Sequence, residues 1–302
     1  MSADAFANGC AYIGGRYLPI GEACIPILDT GFLRSDLTYD VVAVWNGKFF
    51  RLEDHLDRFE RGWKKLRMKP DIGKGEIRTI LFECVRRSGL RNAYVEMIIS
   101  RGIDEDGSRD PRKFRNRLYA YAIPYVWIVK LEDQESGINL VIAEKTIRIP
   151  PEALDPTVKN FHWGDLVRGI FEAYDRGGYT VVLTDVEGYI TEGPGFNLFI
   201  YNEGALLTPE AGVLEGITRK TVLDLADELG ITARLSKFGA TALKGADEVF
   251  ISSTAGGVMP VTRIDGRPVG AGTPGKVTTL IRTRYWEAHD EERWTSAVDY
   301  HP

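Results

Sequence analysis

The dipeptide Asn46-Gly47 stands between two apolar runs, TYDVVAVW and KFF, and two residues of that type are a strong signal for a tight β-hairpin. It commits this part of the chain to antiparallel pairing. The next stretch, RLEDHLDRFERGWKKL, abandons alternation for helical spacing, with Leu56, Phe59, Trp63 and Leu66 on one stripe. A hairpin followed directly by an amphipathic helix points to α+β architecture rather than a regular parallel sheet.

The same alternation of short strands, hairpins and helices continues along all 302 residues. AYIGGRYLPI reads as a hairpin turning at Gly14-Gly15, and GEIRTILFECVRRSG as a second helix. AYVEMIISRG and RLYAYAIPYVWIV read as strands, separated by a long polar loop, IDEDGSRDPRKFRN; loops of that length are either functional or plain surface excursions. The charged stretch KLEDQESG marks a boundary. The expected division is residues 1–128 as a smaller N-terminal α/β domain, 129–137 as a linker, and 138–302 as a larger domain. The latter reads as strand INLVIAEKTIRIP, a helix from Trp163 to Arg176, strands YTVVLTD and NLFIYNEG, helix ITRKTVLDLADELG, strand EVFISS, and a hairpin at Asp265-Gly266.

Several function classes are disfavoured. A formal net charge of −5 argues against a polyanion-binding surface. The three cysteines, Cys10, Cys24 and Cys84, form no C-x-x-C pair, and are expected to be buried, inert thiols. None of the four histidines falls in a metal-binding spacing. GAGTPGKV, from Gly270, imitates a phosphate loop, but Val277 occupies the position of the magnesium-binding hydroxyl. No basic leader or apolar run of membrane-spanning length is visible, so a cytoplasmic protein is expected.

Four features carry chemistry. Lys159, in PTVKNFHWGD, sits at an apolar boundary where desolvation lowers an amine's pKa; a solvated lysine near a helix start is the alternative. Glu192, in YITEGPGFNLF, lies among glycines that let backbone approach a flat ligand, unless it is a turn glutamate pointing to water. Gly216 precedes a helix whose first amides, at Ile217 and Thr218, lack intrahelical acceptors and suit an anion. Thr254 follows a strand in a turn of small residues. Each of the last two is also compatible with ordinary capping or turn chemistry.

In order, HLDRF, VKNFHWGD, EGPGFNLF, LEGITR and FISSTAGGVMPV resemble the fold-type IV pyridoxal-phosphate enzymes, the branched-chain and D-amino-acid aminotransferase class. The motifs span essentially the whole chain. The resemblance implies two domains with mixed and antiparallel sheets flanked by helices, and pyridoxal 5'-phosphate as cofactor. It implies Lys159 as the Schiff-base lysine, Glu192 as partner of the pyridine nitrogen, and Arg58, Thr254 and the amides of Ile217 and Thr218 as phosphate ligands. Within the class, YDVVAVW, YVEMIISRG, PYVW and KNFHWGDLVRG are most similar to the (R)-selective amine transaminases.

Glu96 stands where branched-chain enzymes carry an arginine of their carboxylate-recognition network, which favours an amine donor. Arg109, with Arg112 as the other candidate, would meet the carboxylate of a keto acid such as pyruvate. Tyr39, Val41, Tyr94, Trp127, Trp163, Phe196 and Ala255 complete the candidate pocket, while Trp45 reads as core. A homodimer is implied, with loops of one subunit closing the other's site. Alternatives within the fold are branched-chain or D-amino-acid transamination and aminodeoxychorismate lyase; outside catalysis, a pyridoxal-phosphate-binding protein without turnover.

Overall fold

A computed structural model describes residues 6, 8–104 and 106–301. The expectation of no N-terminal leader rests partly on residues 1–5 and 7, and the polar-loop reading partly on residue 105; those positions lie outside the described residues. The chain divides into two compact units. Among the described residues no helix is long and apolar enough to cross a membrane.

The first unit comprises the chain up to Val126, the short segment Val158–Phe161 and the stretch from His289 onward. Its elements are β1 (Cys10–Ile13), β2 (Arg16–Pro19), α1 (Thr30–Arg34), β3 (Leu37–Trp45), β4 (Lys48–Phe50), α2 (Leu52–Lys65), α3 (Lys74–Ser88), β5 (Ala93–Ile103), β6 (Arg115–Pro124) and β15 (Thr295–Ala297). Among the described residues seven strands form one sheet, in the order β15-β4-β3-β5-β6-β1-β2. The Asn46-Gly47 turn forms as read, with φ of 51° and 77°, the left-handed pair that joins strands of ordinary twist.

Strand alternation divides this sheet into two chemically distinct faces. Val42, Val44, Val95, Met97, Ile99, Ala120 and Ala122 point into a core filled by Leu52, Leu56, Phe59 and Trp63 of α2 and by Ile77, Ile80, Leu81 and Val85 of α3. Leu37, Tyr39 and Val41 point the other way, packed with Tyr94 and Ile98. The polar loop proves shorter than its sequence implies, because β5 and β6 pair out to Ile103 and Arg115 and Pro111–Lys113 forms a 3-10 turn capped by Asp110.

The second unit contains Trp127–Thr157 and His162–Ala288. It holds α4 (Leu131–Ser136), β7 (Ile138–Ile147), α5 (Gly164–Asp175), β8 (Thr180–Thr184), β9 (Asn197–Asn202), β10 (Ala205–Pro209), α6 (Ile217–Glu228), β11 (Thr232–Ser236), α7 (Ala240–Lys244), β12 (Glu248–Ser253), β13 (Gly257–Ile264), β14 (Arg267–Pro268) and α8 (Lys276–Glu287). Its sheet runs β11-β10-β9-β12-β13-β7-β8, with β14 beside β13, and mixes parallel with antiparallel pairs. Leu140, Ile142, Leu198, Ile251 and Met259 build the main core; Val141, Val181 and Leu183 face Leu166 and Ala173 of α5.

The division differs from the expected domains 1–128 and 138–302 in three places. Residues 129–137 are not a linker: Val129 is buried, Gln134 Nε2 donates to its carbonyl at 2.8 Å, and Glu132 and Asp133 occupy the first turn of α4, where the helix dipole favours acids. The segment around Lys159 and the C-terminal stretch both belong to the first unit. Long-range pairing decides this, β15 adding to β4 through Thr295↔Phe50. Cys10 and Cys84 are buried as expected, whereas Cys24 is exposed.

Candidate active site

In the first unit the site begins with an acid in an otherwise apolar strand. Asp40 of β3 is fully buried on the face toward α2. Arg58 donates to it through Nε and Nη2, both at 2.8 Å, and His55 Nδ1 lies 2.8 Å from its Oδ1. Burial alone raises the Asp40 carboxyl's pKa, but the Arg58 charge and the His55 and Arg58 hydrogen bonds outweigh it and hold the group below the usual carboxylate range. Asp40 therefore fixes the guanidinium of Arg58 in one orientation.

Lys159 is half-buried and held by its backbone: its carbonyl accepts from the Tyr39 amide at 3.1 Å and from Thr38 Oγ1 at 2.9 Å. Its Nζ lies 4.4 Å from the centroid of the Tyr39 ring, which also packs against Phe161. The lysine is thus aligned by the strand that carries Tyr39 and Val41.

Glu96 lies on that same face, directly across the register from Val41 on one side and Tyr121 on the other. It is 5% exposed, and its Oε2 accepts from Tyr121 Oη at 2.7 Å and Tyr94 Oη at 3.1 Å. Burial pushes the Glu96 pKa up, and the two phenols and the Lys159 charge offset this only in part. Tyr121 escaped the sequence reading; the alternation in YAYAI, once paired with AYVEM, would have placed it beside Glu96. Of the loop arginines, Arg112 is held by Asp110 at 2.6–3.0 Å, while Arg109 is exposed. Trp45 is half-buried, edge-on to Tyr125 at 5.4 Å.

In the second unit Glu192 is 6% exposed and fully engaged rather than a turn residue facing water. Arg148 donates to its Oε1 at 3.2–3.3 Å; the Leu214 amide (2.9 Å) and Asn197 Nδ2 (3.4 Å) donate to Oε2. Arg148 also reaches Asp165 at 2.6 Å. Burial lowers the Arg148 pKa, yet the carboxylates of Glu192 and Asp165 more than reverse it, so the guanidinium stays charged. Neither Arg148 nor Asp165 carried a local sequence signal; their partners are 17 to 44 residues away.

Asn197 joins this network to the anion-type helix start. Its Nδ2 donates to the Leu214 carbonyl at 2.9 Å, and a Cβ on Gly216 would lie 2.1 Å from its Oδ1, so only glycine fits at the N-cap of α6. No side chain caps that helix, leaving the amides of Ile217 and Thr218 facing outward from its first turn. The start of α8 is the contrast: Glu248 accepts from the amides of Val277 and Thr278 at 3.0 and 2.7 Å. An internal carboxylate already occupies the imitation phosphate loop; of these two helix starts, that of α6 is the one left to an external anion.

The Thr254 turn between β12 and β13 is tied to the Glu192 segment, Ser253 Oγ donating to the Gly195 carbonyl at 2.7 Å. Phe196 and Ala255 are buried, each 5% exposed. Trp127 and Trp163 are half-buried, the former packed on Trp286 at 5.6 Å. A buried, charge-balanced carboxylate and an uncapped helix start at one end of a single sheet suit a flat cation with an anionic tail.

Comparison with known proteins accords with this chemistry. The family described as Amino-transferase class IV matches residues 37–264. The putative branched-chain-amino-acid aminotransferase of Methanocaldococcus jannaschii is 31% identical over 277 residues, 91% of this chain and 94% of that protein. A D-alanine aminotransferase of Bacillus licheniformis is 28% identical, over 89% and 93% of the two chains. The crystal structure of a T.th. branched-chain amino acid aminotransferase with pyridoxamine 5'-phosphate superposes with a TM-score of 0.90 at 28% identity, covering 96% of this chain and 99% of that one. With the ordered motifs, the two-sheet architecture and these relatives in agreement, the chain belongs to the class IV, fold-type IV aminotransferases.

Proposed function

We propose that this pyridoxal-phosphate-dependent aminotransferase moves the amino group of a primary amine, of (R) configuration, to a keto acid such as pyruvate in two alternating half-reactions. The observation that carries the donor class is Glu96: a buried carboxylate on the face that holds Tyr39, Val41 and Lys159 disfavours a donor bearing its own carboxylate. Pyridoxal phosphate, when bound, supplies the electron withdrawal that makes the donor's α C–H acidic.

The chain's residues supply the rest. Lys159 would hold the cofactor through its side-chain amine and would move the proton at the substrate α-carbon. Glu192, oriented by Arg148, Asn197 and the Leu214 amide, keeps the pyridine nitrogen protonated. Arg58, Thr254 and the amides of Ile217 and Thr218 take the phosphate. Tyr39, Val41 and Tyr94 of the first unit, and Trp127, Trp163, Phe196 and Ala255 of the second, are the residues proposed to choose one face of the substrate by steric exclusion.

Arg109 is the proposed partner of the acceptor's carboxylate; Arg112, engaged with Asp110, is the less available of the two. The enzyme acts as a homodimer. On α5, Val167, Phe171 and Tyr174 form an apolar stripe at helical spacing, and Ile27, Leu28, Phe32 and Leu33 expose another in the first unit; both need covering. The reading places the enzyme in the cytoplasm, where thiols such as Cys10 and Cys84 stay reduced. Branched-chain transamination is the second reading, favoured by the names of several relatives.

The test is the visible spectrum of the holoenzyme with each enantiomer of 1-phenylethylamine, then pyruvate. Bleaching by the (R)-amine and recovery with pyruvate are expected; bleaching only by D-alanine or a branched-chain amino acid moves the assignment to that class. In Arg109→Ala the recovery step weakens, pyruvate KM rising about tenfold, while bleaching by the uncharged-tail amine persists. Equal loss in both steps removes Arg109 from acceptor binding.

A further inference from the structure

The two phenols that satisfy Glu96 both converge on one of its oxygens. Tyr121 and Tyr94 donate to Oε2, and Oε1 receives no hydrogen bond from the described residues. Among the described residues, the buried side-chain polar atoms that lack any partner lie elsewhere, at Asp104, Arg117, Gln134 and Ser252. Oε1 is therefore unpartnered yet reachable. The charged groups acting on Glu96 are Lys159 and Asp40, one of each sign, and neither is hydrogen-bonded to it. The residues flanking Glu96 directly across and along the strands on this face are apolar or phenols: Tyr39 and Val41 from β3, Tyr94 and Ile98 from β5, and Tyr119 and Tyr121 from β6.

A carboxylate so placed has lost most of its water and regained only two neutral donors on one side. A hydroxyl or ammonium group arriving at Oε1 restores what burial removed; a methyl group restores nothing, and a second carboxylate adds repulsion.

Resting on the amine-donor reading above, we propose that Glu96 Oε1 is a recognition site for the donor's far end. The enzyme then prefers primary amines bearing a second hydroxyl or ammonium group to equally sized amines ending in methyl or carboxylate. Tyr94 and Tyr121 are positioning residues that clamp Oε2 and turn Oε1 outward.

Four donors on one skeleton test this with the holoenzyme and pyruvate: (R)-2-aminopentane, (R)-4-aminopentan-1-ol, (R)-1,4-diaminopentane and (R)-4-aminopentanoate, scoring only the ketone product. Relative to aminopentane, kcat/KM is expected about tenfold higher for the amino alcohol and the diamine, the scale of one charge-assisted hydrogen bond, and lower for the amino acid. Glu96→Gln keeps the shape and still accepts from the phenols; in it the diamine ratio falls about tenfold and the aminopentanoate ratio rises. Tyr121→Phe, which retains the charge but loosens the clamp on Oε2, keeps a diamine preference smaller than the parent's. Equal ratios in the parent, or ratios untouched by Glu96→Gln, overturn the assignment while leaving the amine-donor reading intact. Inertness toward all four amines with turnover of amino acids overturns the donor reading, and this proposal with it.

Discussion

Lys159→Ala is expected to lower transamination by about a thousandfold or more, since it removes the proposed carrier of the α-proton, a role commonly worth about 10²–10⁴-fold in rate. The structure makes this a clean variant. Lys159 is held through its backbone carbonyl, by the Tyr39 amide and the Thr38 hydroxyl, and alanine keeps both bonds. What it loses is Nζ and its contact with the Tyr39 ring. Thermal stability should change little, and the cofactor should still associate through its phosphate, now non-covalently. The measurements are single-turnover rates with an (R)-amine and a melting curve. Parental turnover would remove Lys159 from the chemistry; a collapsed melting curve would recast it as a structural residue.

How far the sequence disclosed this arrangement depends on the range of the interactions involved. The hairpins at Gly14-Gly15, Asn46-Gly47 and Asp265-Gly266 were legible because turn chemistry is local: the residues that need positive φ are the ones that define the turn. The stripes of α2 and α6 were legible for the same reason. By contrast α8 went unrecognised, since Thr278, Ile281 and Tyr285 make only a thin buried face and its first turn imitates a phosphate loop. β15, three residues long, exists only because β4 is there to pair with it.

The site divides along the same line. Lys159, Glu192 and Gly216 stand in distinctive local strings, whereas the groups that orient them do not. Asp40 is the instructive case: an acid inside the apolar run TYDVVAVW must be buried and must be paired, and α2, beginning twelve residues later, supplies Arg58 and His55. Asp40 escaped the sequence reading, although a lone acid in that run was signal enough that a partner was needed. Arg148 offered no such handle, because its partners Asp165 and Glu192 meet it only once β7, α5 and the β8–β9 segment have packed.

The second large effect is expected at Glu192, where catalytic and structural roles can be separated. Glu192→Gln removes the charge proposed to hold the pyridine nitrogen protonated, and the loss of one preorganised electrostatic partner typically lowers kcat by about 10²–10³-fold. It also disturbs the local hydrogen bonds. If the new carbonyl faces Arg148, the amide nitrogen meets the Leu214 N–H and Asn197 Nδ2, all donors; the opposite orientation sets it against Arg148. Either way a buried donor goes unsatisfied, costing about 1–3 kcal/mol of stability. The loss stops there because Arg148 keeps Asp165 at 2.6 Å, and no guanidinium is left without a carboxylate. Urea denaturation and kcat, measured on the same preparation, tell the two roles apart. A fall in stability of this size with kcat within a few-fold of the parent would make Glu192 only an anchor for Arg148. A hundredfold fall in kcat beside a stability loss no larger than this places its charge in the chemistry, and Glu192→Asp, which keeps the charge on a shorter stem, should then recover part of the rate.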